Sequence, residues 1–310
     1  MIAVTGYSGF VGQQLLAALS NKSCLLLGRK APIEDYPFFS FDLGSKSGFD
    51  ITESLVGVNT FIHLAARAHV LSESSIDPLS EFRAVNTDGT LNLARQAAQA
   101  GIKRFIFLSS IGVNGISNTS PFSIDDYPAP VEDYAVSKFE AEIGLRKIAE
   151  ETGMEVVIIR PPLVYGPNAP GNFGKLAKLA SKNLPLPFGA IHNKRSLVSL
   201  DNLVDLIVTC IDHPNAANQT FLVSDDHDVS TTELLNAMTL ASGKQPRLIP
   251  VPVSVLRLAD RLTGKLGVID RLCGNLQVDI SHTKDALGWK PPVSFQDGIQ
   301  KCFQKEQKND

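Results

Sequence analysis

The chain has 310 residues, 44% of them hydrophobic and 20% charged, with a formal net charge of -3. These proportions describe a globular chain able to bury one large core or two unequal ones. The slight acidity excludes bulk attraction to nucleic acid or anionic membranes, so an anionic ligand must be gripped by local groups. No apolar stretch approaches the roughly 20 residues of a membrane span.

The chain opens on an apolar strand, Ile2–Thr5, with no basic segment followed by an apolar one as in a secretory signal, and reads as cytoplasmic. A glycine-rich turn and a helix to about Ser20 follow. Cys24–Leu27 is a strand, Thr60–Leu64 another, and Ala84–Ala100 a helix with apolar residues at helical spacing. Arg104–Ser109 is a strand, Tyr134–Glu151 a helix ending near Gly153, and Glu155–Arg160 the next strand. Repeated strand–helix alternation with β-branched strands implies a parallel sheet covered by helices on both faces. Beyond Arg160 the segment Pro161–Pro187 is rich in Pro, Gly and Asn. Ser196–Leu200 and Thr220–Val223 read as short strands, and the rest as helices and loops with a fraying tail, Lys301–Asp310. The expected fold is α/β, a doubly wound parallel sheet of the Rossmann type with a smaller C-terminal substrate-binding domain. Residues 1–165 and 196–224 form the dinucleotide-binding part, and residues 166–195 and 225–310 the substrate part. Cys24, Cys210, Cys273 and Cys302 form no C-x-x-C pair and read as small buried thiols. No histidine cluster suggests a metal.

The turn between the first strand and the first helix is TGYSGFVG, Thr5 to Gly12, with glycines at Gly6, Gly9 and Gly12. A helix N-terminus presents unpaired N–H groups and the positive end of its dipole. A pyrophosphate can lie there if no side chain intervenes, and glycine lets the backbone turn sharply and approach it. An acid at the end of the second strand would take the ribose 2′-hydroxyl of NAD. Here that strand ends Gly28-Arg29-Lys30, and Arg29 is placed to grip a 2′-phosphate, which points to NADP, with NAD possible. Glu34 could still approach the ribose from the following loop.

Tyr134 and Lys138 lie one helical turn apart in YAVSK and share a face. A free phenol has a pKa of about 10. A nearby ammonium favours the phenolate, which would suit a group that gives or takes a proton during carbonyl–alcohol redox chemistry. Ser109 and Ser110 follow the strand RFIFL, at the strand end where α/β proteins collect ligands.

The ordered set TGYSGFVG, HLAA (63–66), VNTDGT (85–90), FLSSIGVNG (107–115), YAVSK and RPPLVYGP (160–167), closing with LGWKPPVSFQDGI, resembles the extended short-chain dehydrogenase/reductases of the nucleotide-sugar epimerase and dehydratase family. The resemblance spans nearly the whole chain. It implies that Tyr134 and Lys138 are the catalytic pair and Ser110 the catalytic hydroxyl. Beside the glycine turn (Gly6, Gly9, Gly12) and Arg29 read above, cofactor contacts are expected at Phe10, Val11, Pro161 and Val164, and the resemblance implies them at Asp42, Leu43, Leu64, Ala65, Ala66 and Asn86, with Asp42 and Leu43 at the adenine and Asn86 supporting the lysine. On the substrate side it implies Arg195 at the pyrophosphate, Phe188 near a uracil, and Asn172 and Arg271 as further contacts, with His69 as a substrate-loop position. His63 and Trp289 read as packing residues. Two helices, about Ala84–Ala100 and Tyr134–Glu151, pair across a two-fold axis in the family, which implies a homodimer.

Two departures narrow the reaction. Family dehydratases carry Asp-Glu directly after the catalytic Thr, where this chain has Ile111-Gly112, so dehydration lacks its acid and base. Leu163 stands where many family epimerases have Asn. With the NADP-type second strand, and a likeness of RLCGNLQVDI and SSIGVNG to 4-keto-sugar reductases, the expected activity is C4 redox chemistry on a UDP-sugar. The favoured form is NADPH reduction of a UDP-4-keto-6-deoxy-N-acetylhexosamine in bacterial polysaccharide synthesis. The alternative is a UDP-hexose or UDP-N-acetylhexosamine 4-epimerase. A non-catalytic NADP-binding sensor or scaffold is a third reading, disfavoured because Ser110, Tyr134 and Lys138 are all present.

Overall fold

A computed structural model describes residues 1–45, 48–68, 77–263 and 268–304. Its strands are β1 (Ile2–Thr5), β2 (Cys24–Gly28), β3 (Phe38–Ser40), β4 (Thr60–His63), β5 (Arg104–Leu108), β6 (Glu155–Arg160), β7 (Leu163–Tyr165), β8 (Arg195–Ser199), β9 (Thr220–Leu222) and β10 (Asp228–Val229). The helices are α1 (Phe10–Ala18), α2 (Pro78–Phe82), α3 (Thr90–Gln99), α4 (Asp133–Thr152), α5 (Gly171–Lys182), α6 (Leu200–Asp212), α7 (Thr231–Ala241), α8 (Val253–Thr263), α9 (Val268–Cys273), α10 (Ser281–Leu287) and α11 (Phe295–Lys301).

Seven strands form one sheet in the order β3-β2-β1-β4-β5-β6-β9, every neighbouring pair parallel. Strand side chains alternate between faces, and both faces are apolar. Val4, Leu26, Ile62, Ile106 and Val157 pack with Leu15 of α1 and Leu203 and Ile207 of α6. Ala3, Leu27, Phe61, Phe105 and Val156 pack with Leu93 and Ala97 of α3 and Leu145 and Ile148 of α4. Burial on both sides explains why these strands read in the sequence as continuous apolar runs. The order reverses direction between β1 and β4, the switch point beside which α/β sheets open a ligand crevice at the carboxyl ends of their strands.

The strand expected at Ser196–Leu200 runs over Arg195–Ser199. It lies outside the large sheet, parallel to β7 and antiparallel to β10 in a three-stranded sheet. Around it Tyr165, Phe173, Leu235, Met238 and Phe295 form a third, separate core. The helix expected over Ala84–Ala100 begins with a wide π-helical turn, Arg83–Gly89, before α3. Its last residue, Gly89, packs on the Leu43 turn: a Cβ there would stand 2.6 Å from the Leu43 carbonyl oxygen. The tail 305–310 lies outside the described residues, and among the described residues no helix is long and apolar enough to cross a membrane.

Gly12 joins the sheet to α1 at closest quarters. A Cβ there would lie 2.2 Å from the Gly6 oxygen and 2.5 Å from Tyr7 Cα, both backbone atoms. Gly12→Ala should therefore destabilise the fold by about 1–3 kcal/mol, read as a lower denaturant midpoint. An unchanged midpoint would show that the turn can relax.

Candidate active site

The three glycines have different reasons for being there. Gly6 has φ +73°, and a Cβ on it would come within 2.6 Å of the Ala65 nitrogen. Gly12 is fixed by the contacts just described. Gly9 is under less pressure from the protein, since a Cβ there would meet only the Gly6 oxygen, at 3.2 Å. Gly9 is also the N-cap of α1, which has neither a side-chain cap nor an acid in its first turn. The first N–H groups of the helix therefore face a bare backbone edge with a positive dipole end. This edge fits a dinucleotide pyrophosphate.

Tyr7 shapes the neighbouring turn. Its ring lies against Gly28, 3.2 Å from where a Cβ would be, and edge-on to Phe38. Its hydroxyl donates to the Lys30 carbonyl. Arg29, Lys30 and Glu34 are exposed beyond the end of β2. Asp42 is exposed and accepts from the Gly44 amide at 3.1 Å, while Leu43 is buried beneath it. Leu64, Ala65 and Ala66 continue β4 at its carboxyl end, half-buried. Phe10 and Val11 open α1 and are half-buried, as is Val164 in β7, while Pro161 is buried and accepts from the Ile111 amide at 2.9 Å.

Ser110 ends the segment after β5 and caps the short turn Ile111–Val113, its Oγ accepting from the Gly112 amide at 3.1 Å. A Cβ on Gly112 would stand 3.3 Å from Ser110 Oγ and 3.2 Å from Ala135 Cβ. That glycine thus lets the serine turn sit against the head of α4, beside Tyr134. Tyr134 is half-buried, edge-on to Phe82, with ring centroids 6.1 Å apart. Lys138 is 1% exposed. Its Nζ donates to the Leu108 carbonyl at 2.9 Å and lies 4.4 Å from the Phe107 ring centroid and 5.9 Å from that of Tyr134.

Asn86 holds this helix to the cofactor side. Its Oδ1 accepts from the Arg67 amide at 2.8 Å, and its Nδ2 donates to Ser137 Oγ at 3.0 Å, next to Lys138 in the chain. Ser137 Oγ in turn donates to the Tyr134 carbonyl at 2.8 Å, and Thr87 Oγ1 donates to the Ser137 carbonyl at 2.9 Å. The wide turn of Arg83–Gly89 brings Asn86 and Thr87 against the same residue of α4. His63 is a core residue, bonded between Thr5 Oγ1 at 2.6 Å and Thr90 Oγ1 at 2.9 Å.

The electrostatics differ from the expectation that the ammonium would draw the phenol down. Burial pushes the Tyr134 phenol up to about 12. Burial also draws the Lys138 ammonium down to about 7, against the opposing pull of the Glu142 carboxylate. Desolvation disfavours the charged form of each group. A phenol in this state is a proton donor at neutral pH.

On the other side of the cleft, Arg195 is half-buried and its Nη1 donates to the carbonyls of Arg271 at 2.8 Å and Gly274 at 3.1 Å. Burial lowers its pKa from the usual arginine value. Arg271 pairs with Glu132 at 2.9 Å, just ahead of α4. These two arginines therefore meet, and they connect the C-terminal segment to the head of the Tyr134 helix. Asn172 is exposed in the first turn of α5, and Phe188 packs on the third core with its carbonyl accepting from Thr232 Oγ1 at 2.6 Å. Trp289 is buried, its indole N–H donating to Asp205 at 2.7 Å, which is a packing role. His69 lies outside the described residues. Among the described residues no cluster of His, Cys, Asp and Glu could hold a metal, and the four cysteines are free.

A seven-stranded parallel sheet with a bare glycine turn beneath its first helix, and a buried lysine one turn past a tyrosine, is the arrangement of an extended short-chain dehydrogenase/reductase. More narrowly, the chain belongs to the NAD dependent epimerase/dehydratase family, whose model matches residues 2–224. It is 50% identical over 311 aligned residues to a UDP-glucose 4-epimerase of Vibrio cholerae, covering 98% of this chain and 94% of that one. The fold matches a UDP-glucose 4-epimerase from Thermotoga maritima solved with UDP-glucose, at TM-score 0.78, 22% identity and 97% coverage of both chains. It also matches a UDP-glucuronic acid 4-epimerase from Bacillus cereus in complex with NAD, at TM-score 0.77, 20% identity and 97% coverage of both.

A folded-state pKa of about 12 against 10 for a free phenol means that Tyr134 favours the folded state while protonated, an advantage lost as pH rises from 10 through 12. The difference in phenolate absorbance between the parent protein and Tyr134→Phe should therefore appear only above about pH 11. Phenolate from this residue at pH 9 would contradict the burial argument.

Proposed function

We propose that the protein is an NAD-dependent 4-epimerase of a UDP-hexose or UDP-N-acetylhexosamine. The observation that carries this reading is the 50% identity over nearly the full length to a chain named UDP-glucose 4-epimerase. That relative supports epimerisation over the 4-keto reduction that the sequence favours on its own. NAD as the dinucleotide rests on the family. The case for NADP rests on Arg29 and Lys30, which are solvent-exposed cations on the turn that Tyr7 holds.

In this reading the bare turn Gly6–Gly12 binds the pyrophosphate, Leu64–Ala66 line the coenzyme, and residues 166–195 and 225–310 hold the nucleotide sugar. Arg195 and Arg271 supply cationic charge on that side. A nicotinamide held there would supply a reversible hydride acceptor for C4 of the sugar. Tyr134, entering as the phenolate, takes the proton of the C4 hydroxyl as the carbonyl forms and, as the phenol, gives it back when the alcohol is restored, which balances each half of the reaction. Ser110 hydrogen-bonds the C4 oxygen in both directions. Lys138 sits beneath Tyr134 and, with the positive charge that an oxidised nicotinamide would add, favours the phenolate from which the reaction starts. Ile111-Gly112 offer no side chain for eliminating water, which keeps the chemistry at C4. Ile143, 54% exposed on α4, supports a homodimer through α3 and α4, and the whole is consistent with a cytoplasmic enzyme of polysaccharide synthesis.

The test is to incubate the purified protein, without added coenzyme, with UDP-glucose and separately with UDP-N-acetylglucosamine. The expected result is the C4 epimer of at least one, with Tyr134→Phe slowing its formation about 10²–10⁴-fold while coenzyme binding persists. Oxidation of NADPH by a UDP-4-keto-6-deoxy sugar, with no epimer formed from either hexose, would instead establish the reductase.

A further inference from the structure

One turn beyond Lys138 on α4 lies Glu142, a carboxylate with 0% exposure that the chemistry above does not use. It forms a two-pronged pair with Arg160, the last residue of β6, through Nε–Oε1 at 2.9 Å and Nη2–Oε2 at 2.5 Å. Arg160 is itself 3% exposed. Ser109 Oγ donates to Glu142 Oε1 at 2.6 Å, and the third nitrogen of Arg160 donates to Asn114 Oδ1 at 2.9 Å. Asn114 reaches on to the Ser123 carbonyl at 3.3 Å.

Each partner adjoins a proposed catalytic group. Ser109 precedes Ser110 in the chain, and Asn114 closes the turn that Ser110 caps. Glu142 is one helical turn from Lys138, which is one turn from Tyr134. Arg160 precedes Pro161, whose carbonyl accepts from the Ile111 amide at 2.9 Å. A buried ion pair is weak evidence for stability, because an apolar pair of similar volume often serves as well or better. What the pair adds here is a fixed side-chain geometry among three elements, the Ser110 segment, α4 and β6.

We propose that Glu142 is a positioning residue. With Arg160 it locks the Ser110 turn to α4 in one register, and its charge retains the proton on the neighbouring lysine. The charged and titratable groups facing Lys138 are Glu142 and Tyr134 from its own helix and His63 from β4, which burial holds well below its usual pKa. Those facing Glu142 are Arg160 from β6 and Arg146, 3.6 Å away on α4. Among these groups Glu142 is the one carboxylate, so removing it leaves the lysine beside a neutral imidazole and a neutral phenol.

The kinetic part of this proposal rests on the epimerase reading; the titration part does not. The experiment follows the Lys138 ammonium by 1H–15N NMR against pH, the resonance assigned by its absence in Lys138→Met. Glu142→Gln keeps the shape and an acceptor for Ser109 but removes the charge. It should lower the Lys138 midpoint by about one pH unit, and lower kcat about tenfold or more with KM and coenzyme affinity within about twofold. The alkaline limb of the kcat profile should move down with the midpoint. Glu142→Leu/Arg160→Met, which leaves no lone buried charge, should fold even if the single variant does not. In it the midpoint should return toward the parent value while kcat stays low, separating register from charge. An unshifted midpoint in Glu142→Gln, or parent kcat in the double variant, overturns the proposal. Inactivity of the parent protein on every UDP-hexose, with the midpoint still shifted, would count against the epimerase reading and not against the role of Glu142 beside Lys138.

Discussion

An ammonium group held at 1% exposure is the constraint on which the rest of the site depends. Lys138 donates to the Leu108 carbonyl and lies over the Phe107 ring. Both belong to β5, so the lysine ties α4 to the centre of the sheet. Burying such a group is costly unless it is paired or satisfied. The surrounding structure offsets that cost with a carbonyl, a ring and a carboxylate one turn away. Cation–π contact of this kind gains strength when desolvated.

From that anchor the site builds outward. Tyr134 is carried to the head of α4 by the same helix, and Asn86 and Thr87 fix Ser137 between the two from the cofactor side. The Ser110 turn reaches the helix because Gly112 leaves room for Ala135. The arrangement is rigid where chemistry is proposed and open where a dinucleotide would lie, since α1 begins on an uncapped glycine edge. A site built on a helix and a strand end, with packed and hydrogen-bonded support behind it, can hold reacting groups in fixed geometry better than one on loops.

Much of this was legible in the sequence because its signals are local. The glycine turn, the Tyr–Lys spacing and the apolar strand runs each declare themselves within a few residues, and both faces of the sheet are buried, so β1, β4, β5 and β6 were plain. The strands β3, β7 and β10 are only two or three residues long, too short for a periodic pattern, and β8 revealed nothing about which sheet it joins. Arg195 reads as a free phosphate grip, yet its guanidinium also holds carbonyls some 76 and 79 positions away. Glu142 lies at helical spacing from Lys138, but its meaning depends on Arg160, and an arginine ending a strand carries no sign that it turns inward. The preference for NADP rests on Arg29, Lys30 and the lack of an acid at the end of β2, and the exposed turn and the family both leave room for NAD.

The most direct measurement is to denature the freshly purified protein and identify any released nucleotide by mass spectrometry. An epimerase that returns its hydride within each turnover is expected to retain its coenzyme, so near-stoichiometric NAD is the result expected here. An empty protein that then binds NADPH far more tightly than NADH would contradict the account, and would restore the reductase in its place.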